Sequence, residues 1–477
     1  MRARRSILIG LLVGCLVDLP AGADQKQEIA LTEALVVRAL GRSRRSPVHT
    51  DPVEARIVAG TWSAPTEGDT VTMPDGSARA WEMATAGDNG WLNHRALRGG
   101  YAYFSVQSAS ERVMMLDARG HGLVYVNGEP RTGNPYRTGF VRLPVKLVAG
   151  SNDLLFVVRR GGLRATLTEP RKPVMIDTAD RTLPDLIIGD DWGVPGAVVV
   201  VNASPDRLEG LLMTAGGDGL PNRETAVPPI GPMTVRKVPF WCGGAVPPEP
   251  RAFAVKLRLE RLRDGRRELL DEATVSLRSR RPTDRHRRTF ISEIDGSVQY
   301  YAVTPMKRPG SEPSAAGRPA LFLTLHGAGV EASGQAAAYG HKDWGHIVAP
   351  TNRRPYGFDW EDWGRLDAME VLDLVERRYA TDPQRTYLTG HSMGGHGVWH
   401  VGAMFPDRFA AIGPSAGWSS FFTYAGGTAF ADDDSIDAIL ARAQQSSVTR
   451  DLARNYLHHG VYILHGEKDD NVPVEQA

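Results

Sequence analysis

Short apolar runs alternate with a helical pattern in the last part of the chain, and this alternation restricts the fold more than any other feature. The runs are "ALFLTLHG" (320–327), "HIVAP" (346–350) and "RTYLTG" (385–390), and such runs are typical of strands buried on both faces of a parallel sheet. Between them, "DWGRLDAMEVLDLVERRYA" (362–380) repeats apolar residues at helical spacing. The alternation predicts an α/β domain with a parallel sheet over residues 289–477, opening with a β-hairpin.

The residues before this domain are predicted to form two β-rich modules. The chain has 51 glycines and 32 prolines, which favour many turns. Residues 55–175 contain strand-sized segments and an Asn127-Gly128 turn after an alternating strand, which indicates a hairpin. Residues 183–280 contain further strand-sized segments separated by Gly, Pro and Asp turns, which favours an immunoglobulin-like β-sandwich.

Three shorter features carry predictions of their own. In residues 24–50, "EIALTEALVVRAL" is predicted to be a short helix that a basic loop follows. The arginine-rich run "RSRRPTDRHRR" (278–288) is interpreted as a solvated linker, with binding of an acidic partner as the alternative. Cys242 has no cysteine partner once a leader is removed, so we expect it to be a small buried apolar residue.

The first residues have the pattern of a targeting segment. A basic start, "MRARRS", precedes a short apolar run and the small residues "AGA", which predicts a signal peptide over residues 1–23 and export. The string "LVGC" leaves lipid anchoring at Cys15 open as an alternative. No other segment is apolar enough to span a membrane, and a formal net charge of +1 gives no reason to expect nucleic acid as a partner.

Ser392 lies in the pattern Gly-x-Ser-x-Gly, between a predicted strand and a predicted helix. Glycines at 390 and 394 allow a turn so tight that larger side chains would collide with the neighbouring strand and helix. The turn presents the serine hydroxyl at a helix N-terminus, whose positive end stabilises a developing oxyanion. This context predicts that Ser392 is a nucleophile, in preference to a serine that only caps the helix.

Two further stretches supply groups that a nucleophilic serine requires. The strand-like "ILHG" is followed by Asp469, and the carboxyl ends of parallel strands gather at one edge of a sheet, so Asp469 is the candidate acid. The backbone N–H of Met393 is the first candidate oxyanion donor. The second is placed at Ala328 or Gly327 in "TLHGAG", whereas His326 is predicted to be a structural histidine.

The general base is missing from this arrangement. In the Ser-Asp-His order the histidine follows the acid, and no histidine follows Asp469 in the sequence. We therefore expect the α/β domain to be incomplete at its C-terminal end, with the base beyond Ala477 and with the chain inactive without it. The alternative is a complete domain that has lost catalysis.

Four strings together resemble the catalytic domain of the prolyl oligopeptidase family of serine peptidases: "LFLTLHGAG", "TDPQRTYLTGHSMGGHGVW", "PDRFAAIGPSAG" and "LHGEKDDNVP". They are also similar to related esterases of the feruloyl and polyhydroxyalkanoate types. The resemblance implies an α/β-hydrolase fold over about 290–477. It also implies that Asn471 contacts a substrate carbonyl. The segment around "VYVNGEP" resembles galactose-binding-like jelly-roll modules.

The resemblances imply a serine hydrolase that needs no metal or organic cofactor. Peptide hydrolysis is the first choice of reaction, and hydrolysis of a carbohydrate ester or polyester is the alternative. A catalytically inert protein that binds glycan through the first module is the alternative from another class. Aromatic residues in that module are interpreted as sandwich core, in preference to a sugar platform; they are Trp62, Trp81, Trp91 and Tyr101. The sequence does not indicate an oligomeric state.

Overall fold

The fold is that of a computed structural model. The residues it describes are 28–40, 50–190, 193–217, 219–244, 248–307, 317–353, 359–420, 423–424 and 435–477. The predicted signal peptide, with its alternative of lipidation at Cys15, lies outside the described residues. Within them, no helix combines the length and the apolar character that a bilayer crossing requires.

The first module is a β-sandwich of two antiparallel sheets with one short helix. Its strands are β1 (Glu28–Ala30), β2 (Glu33–Val37), β3 (Thr70–Thr72), β4 (Ala78–Ala80), β5 (Glu82–Thr85), β6 (Leu92–Asn93), β7 (Gly100–Ser108), β8 (Arg112–Arg119), β9 (His121–Val126), β10 (Glu129–Thr132), β11 (Arg142–Leu147), β12 (Gly150–Val158) and β13 (Gly162–Thr168). One sheet has the order β1-β13-β8-β11, with β6 beside β13, and the other has the order β10-β9-β12-β7-β2-β5. Alternate residues of both sheets fill one apolar core.

The helix predicted within residues 24–50 is wrong for the described part of that segment. Residues 28–40 contain β1 and β2, and β2 pairs with both β5 and β7 in the middle of its sheet. Burial between two strands outweighs the weak helical periodicity of the segment. The helix of this module is α1 (Pro52–Val58), which begins at a proline and is capped by Asp51, whose side chain accepts hydrogen bonds from two backbone N–H groups.

Local predictions in the first module agree with the structure. Asn127 and Gly128 both have positive φ, at 49° and 84°, and they connect β9 to β10 as a two-residue hairpin loop. The side chains of Trp81 and Tyr101 are buried. Burial favours the interpretation of these rings as core over that of a sugar platform.

The second module is also built from two β-sheets. Its strands are β14 (Val174–Thr182), β15 (Asp185–Ile187), β16 (Val194–Asn202), β17 (Leu211–Gly217), β18 (Leu220–Val227), β19 (Thr234–Cys242), β20 (Ala252–Arg263) and β21 (Arg266–Arg280). The sheet orders are β14-β16-β19 and β15-β21-β20-β17-β18. They enclose a second core, in which the Cys242 side chain is buried as predicted.

The third module has a seven-stranded sheet with helices. Its strands are β22 (His286–Ile291), β23 (Val298–Thr304), β24 (Ala320–Leu325), β25 (Gly345–Ala349), β26 (Thr386–His391), β27 (Ala411–Ser415) and β28 (Gly460–Val461). Its helices are α2 (Ala332–Ala337), α3 (Asp362–Tyr379), α4 (Met393–Met404) and α5 (Ser435–Gln444). In the described part of the third module, 3-10 segments lie at Pro383–Arg385, Gln445–Ser447, Thr449–His458 and Val474–Gln476. The first module has a 3-10 segment at Arg95–Leu97.

The order of the third sheet is β22-β23-β25-β24-β26-β27-β28. The strands from β25 to β28 run parallel, whereas β22 and β23 form the predicted antiparallel hairpin at one side. Apolar side chains of α3 and α4 pack with Leu321, Leu323 and Leu325 of β24 in a common core. The predictions of a β-rich N-terminal part and a mainly parallel α/β domain after it are confirmed.

The arginine-rich run 278–288 is not a solvated linker. It completes β21, turns, and begins β22, so its residues belong to two sheets. The Arg288 guanidinium lies 2.5 Å from the Asp190 carboxylate, and only 14% of the Arg288 side chain is exposed. The run therefore joins the second module to the third through side-chain contacts. Its high charge favoured a solvated linker in the sequence analysis, so these contacts were not predicted.

Candidate active site

Ser392 lies on a sharp turn between β26 and α4. Its backbone angles are φ 56° and ψ −118°, which a residue with a side chain rarely adopts. The Ser392 N–H donates to the Ser415 carbonyl oxygen at the end of β27, over 2.9 Å, and the Ser392 side chain does not cap the helix. The turn has the geometry that the Gly-x-Ser-x-Gly pattern predicts, and it leaves the hydroxyl at the carboxyl edge of the sheet.

The glycines around Ser392 are required by close backbone contacts. A Cβ atom on Gly390 would lie 2.5 Å from the Gly394 carbonyl oxygen. A Cβ atom on Gly394 would lie 2.0 Å from the Leu325 carbonyl oxygen, and one on Gly395 would lie 2.4 Å from the Ser415 carbonyl oxygen. Backbone atoms of β24, β27 and α4 thus surround the turn, so larger residues cannot be accommodated without moving these elements.

Replacing Gly394 by alanine is expected to destabilise the protein, because the new methyl group meets the backbone of β24. The expected loss is about 1–3 kcal/mol of the free energy of unfolding, the range of overpacked sites. Gly334→Ala is the matched control, since Gly334 lies in α2 with 3.8 Å to its nearest neighbour and alanine favours helix. Urea unfolding measures the free energy of unfolding of both variants. A Gly394→Ala variant as stable as the Gly334→Ala variant would contradict the close contact between Gly394 and the backbone of β24.

The loop after β24 lies against the serine turn. A Cβ atom on Gly327 would be 3.8 Å from the Ser392 Cβ atom and 3.3 Å from the His391 carbonyl oxygen. Gly327 is buried, whereas Ala328 is exposed at the start of the turn that follows. The structure thus brings Gly327 to the side of Ser392, with Ala328 next to it in the chain, and their role in binding an oxyanion remains a proposal.

His326 has a structural position, as predicted. Its ring is fully buried, with Nδ1 3.0 Å from the Gly327 carbonyl oxygen and Nε2 3.2 Å from the Thr351 carbonyl oxygen. The His326 carbonyl oxygen accepts a hydrogen bond from the buried Trp360 indole. These contacts fix the loop that carries Gly327.

Met393 is the first residue of α4, so its backbone N–H belongs to the helix end, where N–H groups have no partner within the helix. Its side chain is buried and anchors the helix start, with Sδ accepting a hydrogen bond from the Asp359 N–H. The N–H of Met393, at the helix start, and the loop of Gly327 therefore both lie close to Ser392. Two such donors are the arrangement that binds a tetrahedral oxyanion.

Asp469 emerges at the same edge of the sheet. The segment from β28 to Leu464 runs parallel to β27, and Leu464 forms a parallel bridge with Ser415, whose carbonyl oxygen holds the Ser392 N–H. Asp469 follows Leu464 by five residues. The N–H groups of Val472 and Asn471 donate to Asp469 Oδ1 and lower the pKa of the Asp469 carboxyl, which is therefore ionised at neutral pH.

The loop of Asp469 is also held by His465. The His465 Nε2 atom lies 2.8 Å from the Val472 carbonyl oxygen and 3.8 Å from Asp469 Oδ2. Asn471 is exposed in this loop, so its side chain lies on the surface near the proposed acid. Contact of Asn471 with a substrate carbonyl remains a proposal.

Histidines near Ser392 in the sequence have other partners. The His391 ring contacts the Ser415 hydroxyl over 3.0 Å. His396 is fully buried, with Nδ1 2.9 Å from the Trp418 carbonyl oxygen and Nε2 2.9 Å from Glu361 Oε1. Among the described residues, no histidine ring forms a hydrogen bond with the Ser392 hydroxyl.

A buried charged cluster behind the serine turn was not predicted from the sequence. Burial is the largest single influence on the pKa of Glu361 and raises it, but the hydrogen bonds with His396 and Ser447 and the nearby charge of His396 together lower it. Burial raises the pKa of Asp359, whose N–H contacts Met393, to about 6. Burial lowers the pKa of His400 to about 4. The only sequence cue was the helical spacing of His396 and His400, which does not identify Glu361 as a partner.

The described residues contain no group of three or more His, Cys, Asp or Glu side chains that would hold a metal ion.

The Esterase family model, described as "Putative esterase", matches residues 328–474 of this chain. The matched range contains Ser392 and Asp469.

Three curated proteins match parts of the chain. An uncharacterized secreted protein of Arthroderma benhamiae is 30% identical over 217 residues, 42% of this chain and 23% of that protein. The poly(3-hydroxybutyrate) depolymerase of Ralstonia pickettii is 31% identical over 134 residues, 23% of this chain and 28% of that protein. The poly(3-hydroxyalkanoate) depolymerase C of Paucimonas lemoignei is 30% identical over 139 residues, 26% of this chain and 32% of that protein. The chain thus spans 23–32% of the length of these relatives.

The solved structures that match parts of the chain include esterases. A thermostable esterase is 14% identical, with 64% of this chain and 85% of that chain covered and a TM-score of 0.30. A ferulic acid esterase is 20% identical, with 39% of this chain and 79% of that chain covered and a TM-score of 0.30.

Proposed function

We propose that this protein is a carboxylic ester hydrolase in which Ser392 forms an acyl-enzyme intermediate. The observation that carries the proposal is the strained turn at Ser392, which holds the hydroxyl at the carboxyl edge of the sheet beside Gly327 and the N–H of Met393. Strain of this kind persists only where the surrounding structure imposes it, and it clusters at functional sites. The Esterase match over residues 328–474 supports the reaction class.

In the proposed mechanism, Ser392 Oγ attacks the ester carbonyl carbon while a histidine removes its proton. Asp469 orients that histidine and stabilises its charged form. The backbone N–H groups of Met393 and of Ala328 or Gly327 stabilise the oxyanion. The bond from the acyl carbon to the alcohol oxygen then breaks, and the histidine gives its proton to the leaving alcohol. The same histidine removes a proton from water, which attacks the acyl-enzyme, and the carboxylic acid leaves as Ser392 Oγ takes the proton back. The histidine is proposed to lie outside the described residues, because the rings of His391 and His396 form hydrogen bonds with groups other than the Ser392 hydroxyl.

An ester is preferred to a peptide as substrate. Two of the curated relatives are named as depolymerases of polyhydroxyalkanoates, which are polyesters, and the matching family model is that of esterases. Peptide hydrolysis, the first choice from the sequence, is kept as the second candidate because the "DDNV" string at 469–472 favours it. Export is proposed on the basis of the leader pattern and of the secreted relative.

The choice between ester and peptide is tested with two chromogenic substrates of similar size. The protein encoded by the whole reading frame is expected to release nitrophenol from a short acyl nitrophenyl ester and no nitroaniline from a peptidyl anilide. Release of nitroaniline at a comparable rate would replace the esterase proposal by the peptidase one. Turnover of neither substrate would favour the inert glycan-binding protein.

A further inference from the structure

A cavity of 640 Å³ separates the second module from the third, away from Ser392. Its size is within the range of about 300–1,000 Å³ that is typical of small-molecule sites. β21 and β15 form one wall, and β22, β23 and α2 form the other. Thr304 lines it at the end of β23, which pairs antiparallel with β25, so this end of the cavity lies at the edge where the parallel strands begin. Ser392 lies at the opposite edge, where they end.

The cavity is lined by five arginines and one carboxylate. The arginines are Arg181, Arg278, Arg280, Arg285 and Arg287, and the carboxylate is that of Asp185. Burial raises the pKa of Asp185, although the neighbouring arginines act to lower it. The lining therefore has a large excess of positive charge.

Most of these guanidinium groups lack an acidic partner. In the described part of the chain, Arg181, Arg278 and Arg285 form no salt bridge, and Arg280 is 3.9 Å from Asp185 at its nearest. Arg287 is 3.5 Å from Glu331, which does not line the cavity. A concentration of like charge in a cavity is unfavourable for the empty protein and favourable for binding an anion.

The arginines are held in place from both walls. Arg278 and Arg280 alternate with buried residues on β21, so they share one face of the strand with Thr274 and Ser276. On the other wall, Arg285 donates to the Thr304 hydroxyl and the Tyr339 carbonyl oxygen. These contacts orient charged donors toward a common space, and two neighbouring hydroxyl groups add further donors.

On the third-module wall, Arg287 is fixed by two contacts. Its Nε atom donates to the Ser333 hydroxyl of α2 over 2.6 Å, and its backbone N–H donates to Asp185 Oδ2. The same Asp185 pairs in register with Arg278 across β15 and β21. One carboxylate thus contacts arginines of both walls, so five arginines share a single acidic group within the lining.

We propose that this cavity binds an anion with two or more phosphate or sulfate groups. Guanidinium groups pair with these oxyanions through two parallel hydrogen bonds, and arginines on both walls match a ligand with more than one such group. Such a ligand would bridge the second and third modules. The arginine-rich run of the sequence thereby acquires a binding role that does not depend on the reaction at Ser392.

Calorimetry with the full-length protein tests the proposal with two probes, inorganic pyrophosphate and a sulfated disaccharide. At least one probe is expected to bind, and the stronger one identifies phosphate or sulfate as the natural group. Arg278→Gln is expected to weaken binding about tenfold, the effect of losing a charged hydrogen-bond donor. The Arg278 side chain is exposed and forms no hydrogen bond with the described part of the chain, so the variant is expected to fold as the parent does, which thermal unfolding verifies.

The matched control is Arg266→Gln, which removes the same charge from an exposed position at the other end of β21. It is expected to bind the probe as the parent does. Failure of both probes to bind at millimolar concentration, or equal binding by the Arg278→Gln and Arg266→Gln variants, would overturn the proposal. Because calorimetry requires no turnover, the outcome is independent of whether the protein hydrolyses esters.

Discussion

Replacing Ser392 by alanine is expected to abolish ester hydrolysis, with a loss of at least about a thousandfold in kcat/KM, because the nucleophile is removed. The variant should fold normally. The Ser392 side chain does not cap α4, and the backbone hydrogen bond from Ser392 to the Ser415 carbonyl oxygen does not depend on the hydroxyl. Initial rates on a short acyl nitrophenyl ester measure the effect, and thermal unfolding shows that the fold is retained.

Ser415→Ala is the matched control for this experiment. It deletes a hydroxyl group at the same edge of the sheet, one strand away, where it contacts the His391 ring. The carbonyl oxygen that holds the serine turn remains. The control is expected to keep activity within about tenfold of the parent. If Ser392→Ala lost no more activity than Ser415→Ala, Ser392 would not be the nucleophile.

Replacing Asp469 by asparagine is expected to lower kcat about a thousandfold or more, the size of the effect of removing the acid from a serine triad. An asparagine oxygen can still accept the N–H groups of Asn471 and Val472, so the loop is retained while the negative charge is lost. The variant thus separates the charge of Asp469 from its structural contacts. Ester hydrolysis and thermal unfolding are measured in parallel.

Asp470→Asn makes the same chemical change at the neighbouring exposed position. It is expected to leave kcat within a few-fold of the parent, because Asp470 accepts none of the hydrogen bonds that form the loop. Equal activity of the two asparagine variants would show that Asp469 is not the acid.

The sequence predicts the fold of the third module well because its signals are local. Continuous apolar runs mark strands buried on both faces, and the glycines at 390 and 394 belong to a short pattern that is read directly from the sequence. The prediction of an N-terminal helix failed at residues 33–37, which form β2. Pairing with β5 and β7 stabilises this segment more than its helical propensity would stabilise a helix. Such pairing joins residues far apart in the chain, and no local pattern reports it.

Two features of the sites were beyond sequence reasoning for the same reason. The pairing of His396 with Glu361 joins residues 35 positions apart on different elements. The arginine-rich run at 278–288 has the composition of a solvated linker, but two strands place its side chains on the walls of a cavity. In both cases the residue types were visible, whereas the partners and the burial depend on the tertiary fold.

Labelling with a fluorophosphonate probe, followed by mass spectrometry of the digested protein, tests the central claim most directly. The probe reacts with serines that are activated as nucleophiles. The account predicts one adduct, on the peptide that contains Ser392, and no adduct in the Ser392→Ala variant. An active protein that remains unlabelled, or that carries the adduct on another serine, would contradict it.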